Sequence, residues 1–222
     1  MNYVAGDLRD QLAHIGHAVV QAGLVVGSGG NLSARSPGAD ECWVTAAGSW
    51  LDRLNRPSFV RVRISDGTVV DDARLSSGTA PVPTSELGLH LATYRVRPDV
   101  NAVVHLHPQA ALLLDALGQP IRLLTTDHAF YLRRVVTVPF CPPGTPAVGH
   151  LAAEACADGI NCLMLARHGC SVLADSVELA HKRAMYLEEA AWMTYRAVAL
   201  GHIHNLTDCP TDWLDQPDRT GV

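Results

Sequence analysis

Two histidines spaced two residues apart are the sharpest chemical feature of the sequence. His105 and His107 close an apolar, β-branched run at 101–107, a pattern that predicts a buried strand. Alternate residues of a strand point to the same side of its sheet, so both imidazoles should leave one face, close enough to share a metal ion. Imidazole is a common metal ligand, and the pair therefore predicts a metal site. Two half-buried histidines bonded to their neighbours would give the same spacing.

A third histidine could complete such a site. His168 lies in the tight turn Arg167-His168-Gly169, where the glycine allows a close backbone approach. Three neutral imidazoles would leave an open position on a zinc ion for water or substrate, as catalytic zinc sites do. A histidine before a glycine is weak evidence alone, and it gains weight only beside the histidine pair.

Glu86 is the candidate acid–base group. It follows Thr84 and Ser85 at the start of a helix predicted over 85–96, with Thr84 as the capping residue. The helix dipole stabilises a carboxylate in the first turn, so Glu86 could be no more than a cap. The alternative is a general base beside the metal. His90 lies one helical turn later and could bond to Glu86.

The same helix start could bind an anion. Its backbone N–H groups and the hydroxyls of Thr84 and Ser85 suit a phosphate. The segments Gly29-Gly30-Asn31 and Ala47-Gly48 add flexible backbone that could approach the same anion. No P-loop is present and no G-x-G-x-x-G follows a predicted strand, so a nucleotide site has no support.

Helical and strand patterns mix along the whole chain, which indicates one α/β domain over 1–201 and a C-terminal tail over 202–222. Several tight hairpins, including one at Asp66-Gly67, favour a mixed or largely antiparallel sheet. The segment 27–33 is predicted to be a glycine-rich turn, and 75–83 a loop. Helices are predicted at 7–23, 85–96, 108–117, 147–157 and 176–200, and strands at 42–45, 59–64, 68–70, 101–107, 134–140, 162–166 and 171–173.

Composition excludes several classes of protein. Apolar residues make up 48% of the 222 residues and charged residues 18%, which is the balance of a globular chain and not of a disordered one. A net charge of −5 argues against a broad nucleic-acid-binding face. Lys182 is the one lysine, so a Schiff-base mechanism would have a single candidate nucleophile. With no signal peptide, no membrane span and six cysteines without a C-x-x-C pair, we expect a soluble cytoplasmic protein with reduced thiols.

Taken together, the motifs resemble those of the class II aldolase family, the group of L-fuculose-1-phosphate aldolase and L-ribulose-5-phosphate 4-epimerase. The resemblance covers about residues 7–200. It implies a three-layer α/β/α fold with a central, mainly antiparallel sheet, and a homotetramer with sites between subunits. The motifs that carry it are, in chain order, G-G-N-L-S (29–33), V-T-A-A-G (44–48), P-T-S-E (83–86), A-V-V-H-L-H-P (102–108) and R-H-G (167–169).

The resemblance also implies a division of roles in the site. His105, His107 and His168 would hold a divalent metal, typically Zn²⁺, with Mn²⁺, Co²⁺ or Fe²⁺ as alternatives. Glu86 takes the place of the aldolase glutamate, where the epimerase has aspartate. The phosphate site would comprise Asn31, Gly48, Thr84 and Ser85.

Two departures from the family pattern affect this interpretation. Ala47 stands where the family often has a hydroxyl residue that would bond phosphate, so a carboxylate or another small anion becomes an alternative ligand. The aldolase also uses a tyrosine as proton donor after the H-x-H helix. The alignment of that segment is not unique here, and Tyr131, His128 and Asp127 are all candidates for the second acid–base group.

The sequence thus predicts a metal-dependent aldolase-type lyase acting on a small hydroxylated ketone, a ketose phosphate, through a metal-stabilised enediolate. A sugar-phosphate epimerase, dehydratase or decarboxylase is the alternative, because one scaffold hosts several chemistries. An iron oxygenase is a further alternative, since the ligand set constrains the metal only loosely. A non-enzymatic, adducin-like scaffold would be expected to lose the metal histidines, which are present here. Neither nucleic acid nor a membrane is an expected partner.

Overall fold

Seven strands form one sheet in the computed structural model, which describes residues 4–70 and 81–214. Continuous apolar runs form its central strands, and these are buried along their whole length because both faces of the sheet are covered. The strands are β1 (Asn31–Ala34), β2 (Glu41–Thr45), β3 (Phe59–Arg63), β4 (Ala102–Leu106), β5 (Val135–Val138), β6 (Cys162–Leu165) and β7 (Gly169–Ala174).

The sheet order is β3-β2-β1-β4-β7-β6-β5. Neighbouring strands run antiparallel except β5 and β6, which are parallel. The predicted Asp66-Gly67 hairpin is present after β3, where the Arg63 N–H donates to the Thr68 carbonyl over 2.8 Å. The prediction of an α/β fold with a central, mainly antiparallel sheet is confirmed.

Helices cover both faces of the sheet, so the molecule has three layers. The helices are α1 (Leu8–Gln21), α2 (Leu87–Val96), α3 (Gln109–Ala116), α4 (Thr126–Leu132), α5 (Pro146–Cys156) and α6 (Val177–Ala199). On one face α1, α3 and α6 bury apolar residues such as Ile15, Leu114 and Leu187 against the sheet. On the other face α2 and α5 bury Leu89 and Val148. The two apolar cores fix the positions of the loops at the strand ends, where the candidate site lies.

The prediction of a turn over 27–33 is wrong in its second half. Residues 31–34 form β1, which lies between β2 and β4 and is fully buried. Its local signals are weak, because Asn31 and Ser33 are polar residues that follow two glycines. The strand exists because it bonds to a partner on each side, and a short window of sequence cannot reveal that pairing.

The helix that carries Glu86 at its entrance begins later than predicted. Its first residue is Leu87, and Glu86 occupies the N-cap position without a side-chain cap bond. Thr84 is therefore not the cap, although its hydroxyl accepts the Glu86 N–H at 3.3 Å. Helix α4 was not predicted at all, and β7 is longer than the predicted 171–173. Most of the loop predicted over 75–83 lies outside the described residues.

The described part of the predicted tail lies against the segment that precedes α4. The Cys209 N–H donates to the Leu123 carbonyl at 2.7 Å, and Arg122 donates to the Asp208 carboxylate at 2.8 Å. All six cysteines are thiols without a disulfide partner. Within residues 4–70 and 81–214, no helix combines the length and the apolar character that crossing a bilayer requires.

Candidate metal centre

The histidine pair lies at the end of β4, in the middle of the sheet. His105 is the penultimate residue of the strand, and His107 follows the strand directly. The ring of His105 is fully buried, and its Nε2 lies 3.1 Å from Nε2 of His107. The two rings therefore direct the same nitrogen to one point, as the two-residue spacing predicts.

His168 reaches the same point from the hairpin between β6 and β7. The ring centroids of His168 and His105 are 4.7 Å apart, and those of His168 and His107 are 5.4 Å apart. The preceding Arg167 has a left-handed backbone with φ of 59°, a conformation that costs energy in a residue with a Cβ. The Asp115 carboxylate of α3 accepts the Arg167 N–H at 2.7 Å and holds this turn in place.

Two glycines make room for the three rings. A Cβ on Gly169 would lie 2.6 Å from Cδ2 of His107 and 3.2 Å from Cε1 of His105. A Cβ on Gly29 would lie 2.9 Å from Nδ1 of His107. Any side chain at either position would displace an imidazole, so the glycines in the G-G-N and R-H-G motifs serve packing around the rings.

Glu86 enters the same cluster from the start of α2. Its Oε2 lies 3.0 Å from Nε2 of His105, and its Oε1 lies 3.1 Å from Nε2 of His168. Burial raises the pKa of Glu86, but hydrogen bonds with His105, His168 and Asn31 outweigh burial and hold the pKa well below the ordinary value. The carboxylate is thus ionised although only 7% of the residue is exposed.

These four residues offer a donor set that fits a divalent metal. One ligand atom from each lies within 4.8 Å of all the others. The measured separations of 3.0–3.1 Å are close to the edge of about 3.3 Å in a tetrahedron with zinc–nitrogen bonds of about 2.0 Å. Nε2 of His105 faces a carboxylate and a second imidazole nitrogen at once, and a single N–H cannot satisfy both. A cation between these three groups would accept lone pairs from all of them.

His107 is available as a neutral ligand. Burial, with smaller contributions from the neighbouring His105 and His168, lowers the pKa of His107 to about 4. His107 therefore carries a lone pair for a metal at neutral pH, as ligation requires.

The residues predicted to bind an anion line one cleft beside this cluster. The cleft has a volume of about 160 Å³ and also contains Glu86 and His107. The strand-like segment before α2 is fixed beside β2, because the Thr84 N–H donates to the Thr45 carbonyl at 3.0 Å. Gly48 turns with φ of 72°. The predicted members are Asn31, Gly48, Thr84 and Ser85, with Ala47 next to them.

The side chain of Asn31 is already engaged inside the protein. Its Nδ2 donates to Oε2 of Glu86 at 2.9 Å, and its Oδ1 lies 2.5 Å from Nε2 of His90. The predicted contact between His90 and Glu86 is therefore wrong. Asn31 stands between them, because β1 inserts its first residue between β4 and the start of α2.

The three candidates for the second acid–base group lie on α4, whose main packing partner is α6. His128 is fully buried, with Nδ1 accepting the Leu124 N–H at 3.2 Å and Nε2 lying 3.3 Å from Glu189. Tyr131 stacks on Tyr186 at 4.7 Å, and Asp127 accepts the Tyr186 hydroxyl at 3.4 Å. The structure does not bring any of the three into the cleft of the same chain.

Sequence analysis missed a set of buried polar residues behind Glu86. Ser33 bonds to Nδ1 of His90 at 2.7 Å and to the Tyr94 hydroxyl at 2.8 Å. The signal was present in the spacing, because His90 and Tyr94 are four residues apart on one helix face and Asn31 and Ser33 are two apart in a strand. Without β1 as a strand, these two pairs could not be placed together.

One family model and several known proteins match most of this chain. The family model of the class II aldolase and adducin N-terminal domain matches residues 10–195. L-fuculose phosphate aldolase of Methanococcus vannielii is 32% identical over 179 residues, which cover 81% of this chain and 91% of that protein. The 3-oxo-tetronate 4-phosphate decarboxylase of Cupriavidus necator is 34% identical over 197 residues and 85% of both chains.

A solved structure agrees at the level of the fold. L-fuculose-1-phosphate aldolase from Thermus thermophilus superposes with a TM-score of 0.74 at 23% identity, over 87% of this chain and 96% of the other. The relatives are enzymes, among them an aldolase and a decarboxylase. With its central sheet, its cluster of three histidines and a glutamate, and these matches, this chain belongs to the class II aldolase family.

Proposed function

We propose that the protein is a metal-dependent lyase that cleaves a carbon–carbon bond in a ketose phosphate, giving an aldehyde and a smaller ketone phosphate. The observation that carries this proposal is the convergence of Glu86 and the three histidines at one side of a polar cleft. The cleft is lined mainly by polar residues and glycines, and the start of α2 lies in it.

His105, His107 and His168 would hold the metal, for which we propose Zn²⁺ because three imidazoles and an oxygen suit it. When bound there, the ion would supply Lewis-acid polarisation of the substrate carbonyl and of the adjacent hydroxyl. The histidines would keep it at the end of β4, where the glycines fix their rings. Glu86 would contact the ion in the resting state through the carboxylate that now faces two of the imidazoles.

Glu86 would also transfer the proton at the substrate carbon. In the direction of synthesis the ionised carboxylate would remove the proton from this carbon. In the direction of cleavage Glu86 would first take up a proton from the solvent of the cleft and would then transfer it to the carbon that loses its neighbour. This role is supported by the position of the carboxylate at the helix entrance, beside the cleft and the three histidines.

The phosphate would lie against Thr84, Ser85 and Gly48, with the positive end of the α2 dipole close by. Ala47 supplies no hydroxyl, so the phosphate would gain fewer bonds than a hydroxyl residue there would allow.

A group from another subunit would complete the site. We propose a homotetramer in which α4 of one subunit brings Tyr131 or Asp127 to the cleft of its neighbour, to exchange the proton of the hydroxyl that becomes the aldehyde. His128 is the weaker candidate, because both of its ring nitrogens are already engaged.

Decarboxylation is the second candidate function. It is favoured by the 34% identity to a 3-oxo-tetronate 4-phosphate decarboxylase over 85% of the chain. The two reactions share the carbanion next to a carbonyl and differ in the group that leaves, an aldehyde in one and carbon dioxide in the other.

One experiment separates the two. Purified protein is supplied with Zn²⁺ or Mn²⁺ and incubated with ketose 1-phosphates, with 3-oxo-acid phosphates, and with the unphosphorylated forms of both. Aldehyde and carbon dioxide are measured in parallel. We expect aldehyde from a ketose phosphate, no product after chelation, and none from H105A. Release of carbon dioxide without aldehyde would mean that the protein is a decarboxylase and not an aldolase. Turnover that survives chelation would exclude both metal-dependent reactions.

A further inference from the structure

A chain of four hydrogen bonds runs from the interior of the protein to the carboxylate of Glu86. It starts at the Tyr94 hydroxyl, passes through Ser33 and the ring of His90, and reaches Glu86 through the amide of Asn31. Its donor–acceptor distances are 2.8, 2.7, 2.5 and 2.9 Å. His90 and Ser33 are both fully buried, so bulk solvent does not reach either side chain.

The direction of every proton in this chain follows from chemistry. An ionised carboxylate only accepts hydrogen bonds, so the Asn31 atom that faces Glu86 must be the NH₂ group. Its carbonyl oxygen then faces His90, and this oxygen also only accepts. His90 must therefore carry its proton on Nε2 and donate to Asn31.

The other side of the ring is fixed in the same way. A neutral imidazole has one N–H, so Nδ1 of His90 must accept from the Ser33 hydroxyl. The Ser33 oxygen in turn accepts from the Tyr94 hydroxyl. Burial lowers the pKa of His90 to about 3 and raises that of Tyr94, so the ring stays neutral and the phenol stays protonated.

We infer that His90 is a positioning residue, which holds the amide of Asn31 in the one orientation that donates to Oε2 of Glu86 and so aims the other carboxylate oxygen at the reacting carbon. Oε1 lies 3.1 Å from Nε2 of His168, and no other hydrogen-bond donor reaches it from residues 4–70 and 81–214. An Asn31 amide released from His90 could turn over and present its carbonyl to the carboxylate, which would repel Glu86 from its place.

The inference rests on the proposed function in one respect, namely that Glu86 transfers the proton. His90 itself does not touch the cleft, which is lined by Asn31 and Glu86 in front of it. His90 therefore makes no direct contact with a substrate in the cleft, and a role in aiming Glu86 should appear mainly in kcat.

The test uses two substitutions of different chemistry at the same position. The control is H150L, which makes the same change at an exposed histidine of α5. H90Q can place an amide N–H where ring Nε2 now donates, whereas H90L offers no donor. We expect H90L to lower kcat roughly 10–100-fold, with KM and metal content unchanged. This is the range found for residues that orient a functional side chain through a hydrogen bond. H90Q should restore most of the activity. H150L, which alters no residue of the cleft or of the hydrogen-bond chain, should keep full activity.

A second measurement needs neither substrate nor a variant. In the full-length protein as purified, ¹H–¹⁵N correlations of the histidine rings should show His90 as the Nε2–H form at neutral pH. The Nδ1–H form would overturn the inference even if the lyase activity is real. Equal loss in H90Q and H90L would also overturn it, because packing alone would then explain the effect. If the protein cleaves no ketose phosphate, the proposed function fails, while the ring measurement still decides the orientation of His90 and Asn31.

Discussion

Glu86 combines two properties that rarely coexist in one carboxylate. It is buried, which opposes ionisation, and it is surrounded by imidazoles and an amide that favour ionisation more strongly. A bound cation would strengthen the second effect further. A carboxylate in this setting suits a group that contacts a metal in the resting state and takes up a proton during the reaction.

The substitution E86Q tests that role directly. Gln keeps the size of the side chain and the contact to the cleft but cannot transfer a proton. We expect kcat to fall roughly 10²–10⁴-fold, the usual contribution of general acid–base catalysis, and exchange of the substrate proton with deuterated water to fall in parallel. Metal content, measured by elemental analysis, should stay near one ion per chain because the three histidines remain.

The matched control is E154Q, which makes the same change on the exposed face of α5. It should leave kcat unaltered. Near-normal turnover of E86Q would mean that the carboxylate only binds metal or caps the start of α2. The group that transfers the proton would then have to be sought at Asp127, His128 or Tyr131.

The convergence of the three histidines could be expected from the sequence, because strand alternation pairs the first two and the family resemblance adds the third. The partners of Asn31 could not be predicted. Asn31 and His90 are 59 residues apart in the chain, and their hydrogen bond exists only because β1 brings one to the other. Side-chain hydrogen bonds between distant segments carry no local signature.

At the scale of elements, α2 is the part of the fold that places Glu86. It packs closely on α5, where the two helices meet through glycine. A Cβ on Gly149 would lie 2.7 Å from the Gly88 carbonyl oxygen and 3.0 Å from its carbon, both of them backbone atoms. The position of α2, and of the carboxylate at its entrance, thus depends on the absence of a side chain on α5.

The substitution G149A should therefore push α2 outward. We expect the free energy of unfolding, measured in urea, to fall by about 1–3 kcal/mol, as is usual for overpacking. Lyase activity should fall as well, because Glu86 moves with the helix.

G88A is the control on the opposite helix. A Cβ on Gly88 meets no atom within 4 Å, and alanine favours a helix by up to about 1 kcal/mol over glycine. G88A should have a free energy of unfolding equal to or higher than that of the unaltered protein. Equal losses of unfolding free energy in G149A and G88A would mean that α2 and α5 do not approach each other closely at Gly149.

Most helices and strands could be predicted because their apolar residues repeat with the period of the element. The long helix α6 and the buried strand β4 are examples, and each lies within a residue or two of its predicted bounds. Strand β1 and helix α4 are four and seven residues long, too short to show a period. Their conformation follows from contacts with the rest of the fold.

At the scale of the whole molecule, exposed apolar side chains are present on helices that pack together. Leu113 and Leu117 at α3, Phe130 on α4, and Met185 and Trp192 on α6 are each 38–49% exposed. Together with the family membership, they favour an interface with further copies of the chain.

We expect light scattering to give four times the mass of one chain. Replacing Leu117 and Trp192 together by arginine should lower the mass while circular dichroism stays unchanged. The substitution F140R, which alters an apolar residue that is 62% exposed just after β5, is the control and should leave a tetramer. A fully active monomer of the unaltered chain would contradict the proposal that α4 of a neighbour completes the site.

The final prediction concerns stability and pH. An unfolded histidine has a pKa of about 6.5, while in the folded protein burial, with a smaller contribution from positive charge at His105, lowers the pKa of His90 to about 3. Between these values the unfolded chain binds a proton that the folded chain does not. The free energy of unfolding therefore rises with pH across this window. The stability that the neutral His90 contributes is lost as the pH falls.

Between pH 7 and pH 5 the loss due to His90 should be about 2 kcal/mol. The variant H90Q has no titrating group at this position, so its loss over the same interval should be smaller by that amount. The measurement is urea unfolding of both proteins at both pH values, after chelation of metal and at one protein concentration. His107, whose pKa is also lowered, is present in both chains and its contribution cancels. An identical pH dependence in the two proteins would mean that the His90 ring is accessible to protons in the folded state, which its complete burial and its hydrogen bonds to Ser33 and Asn31 oppose.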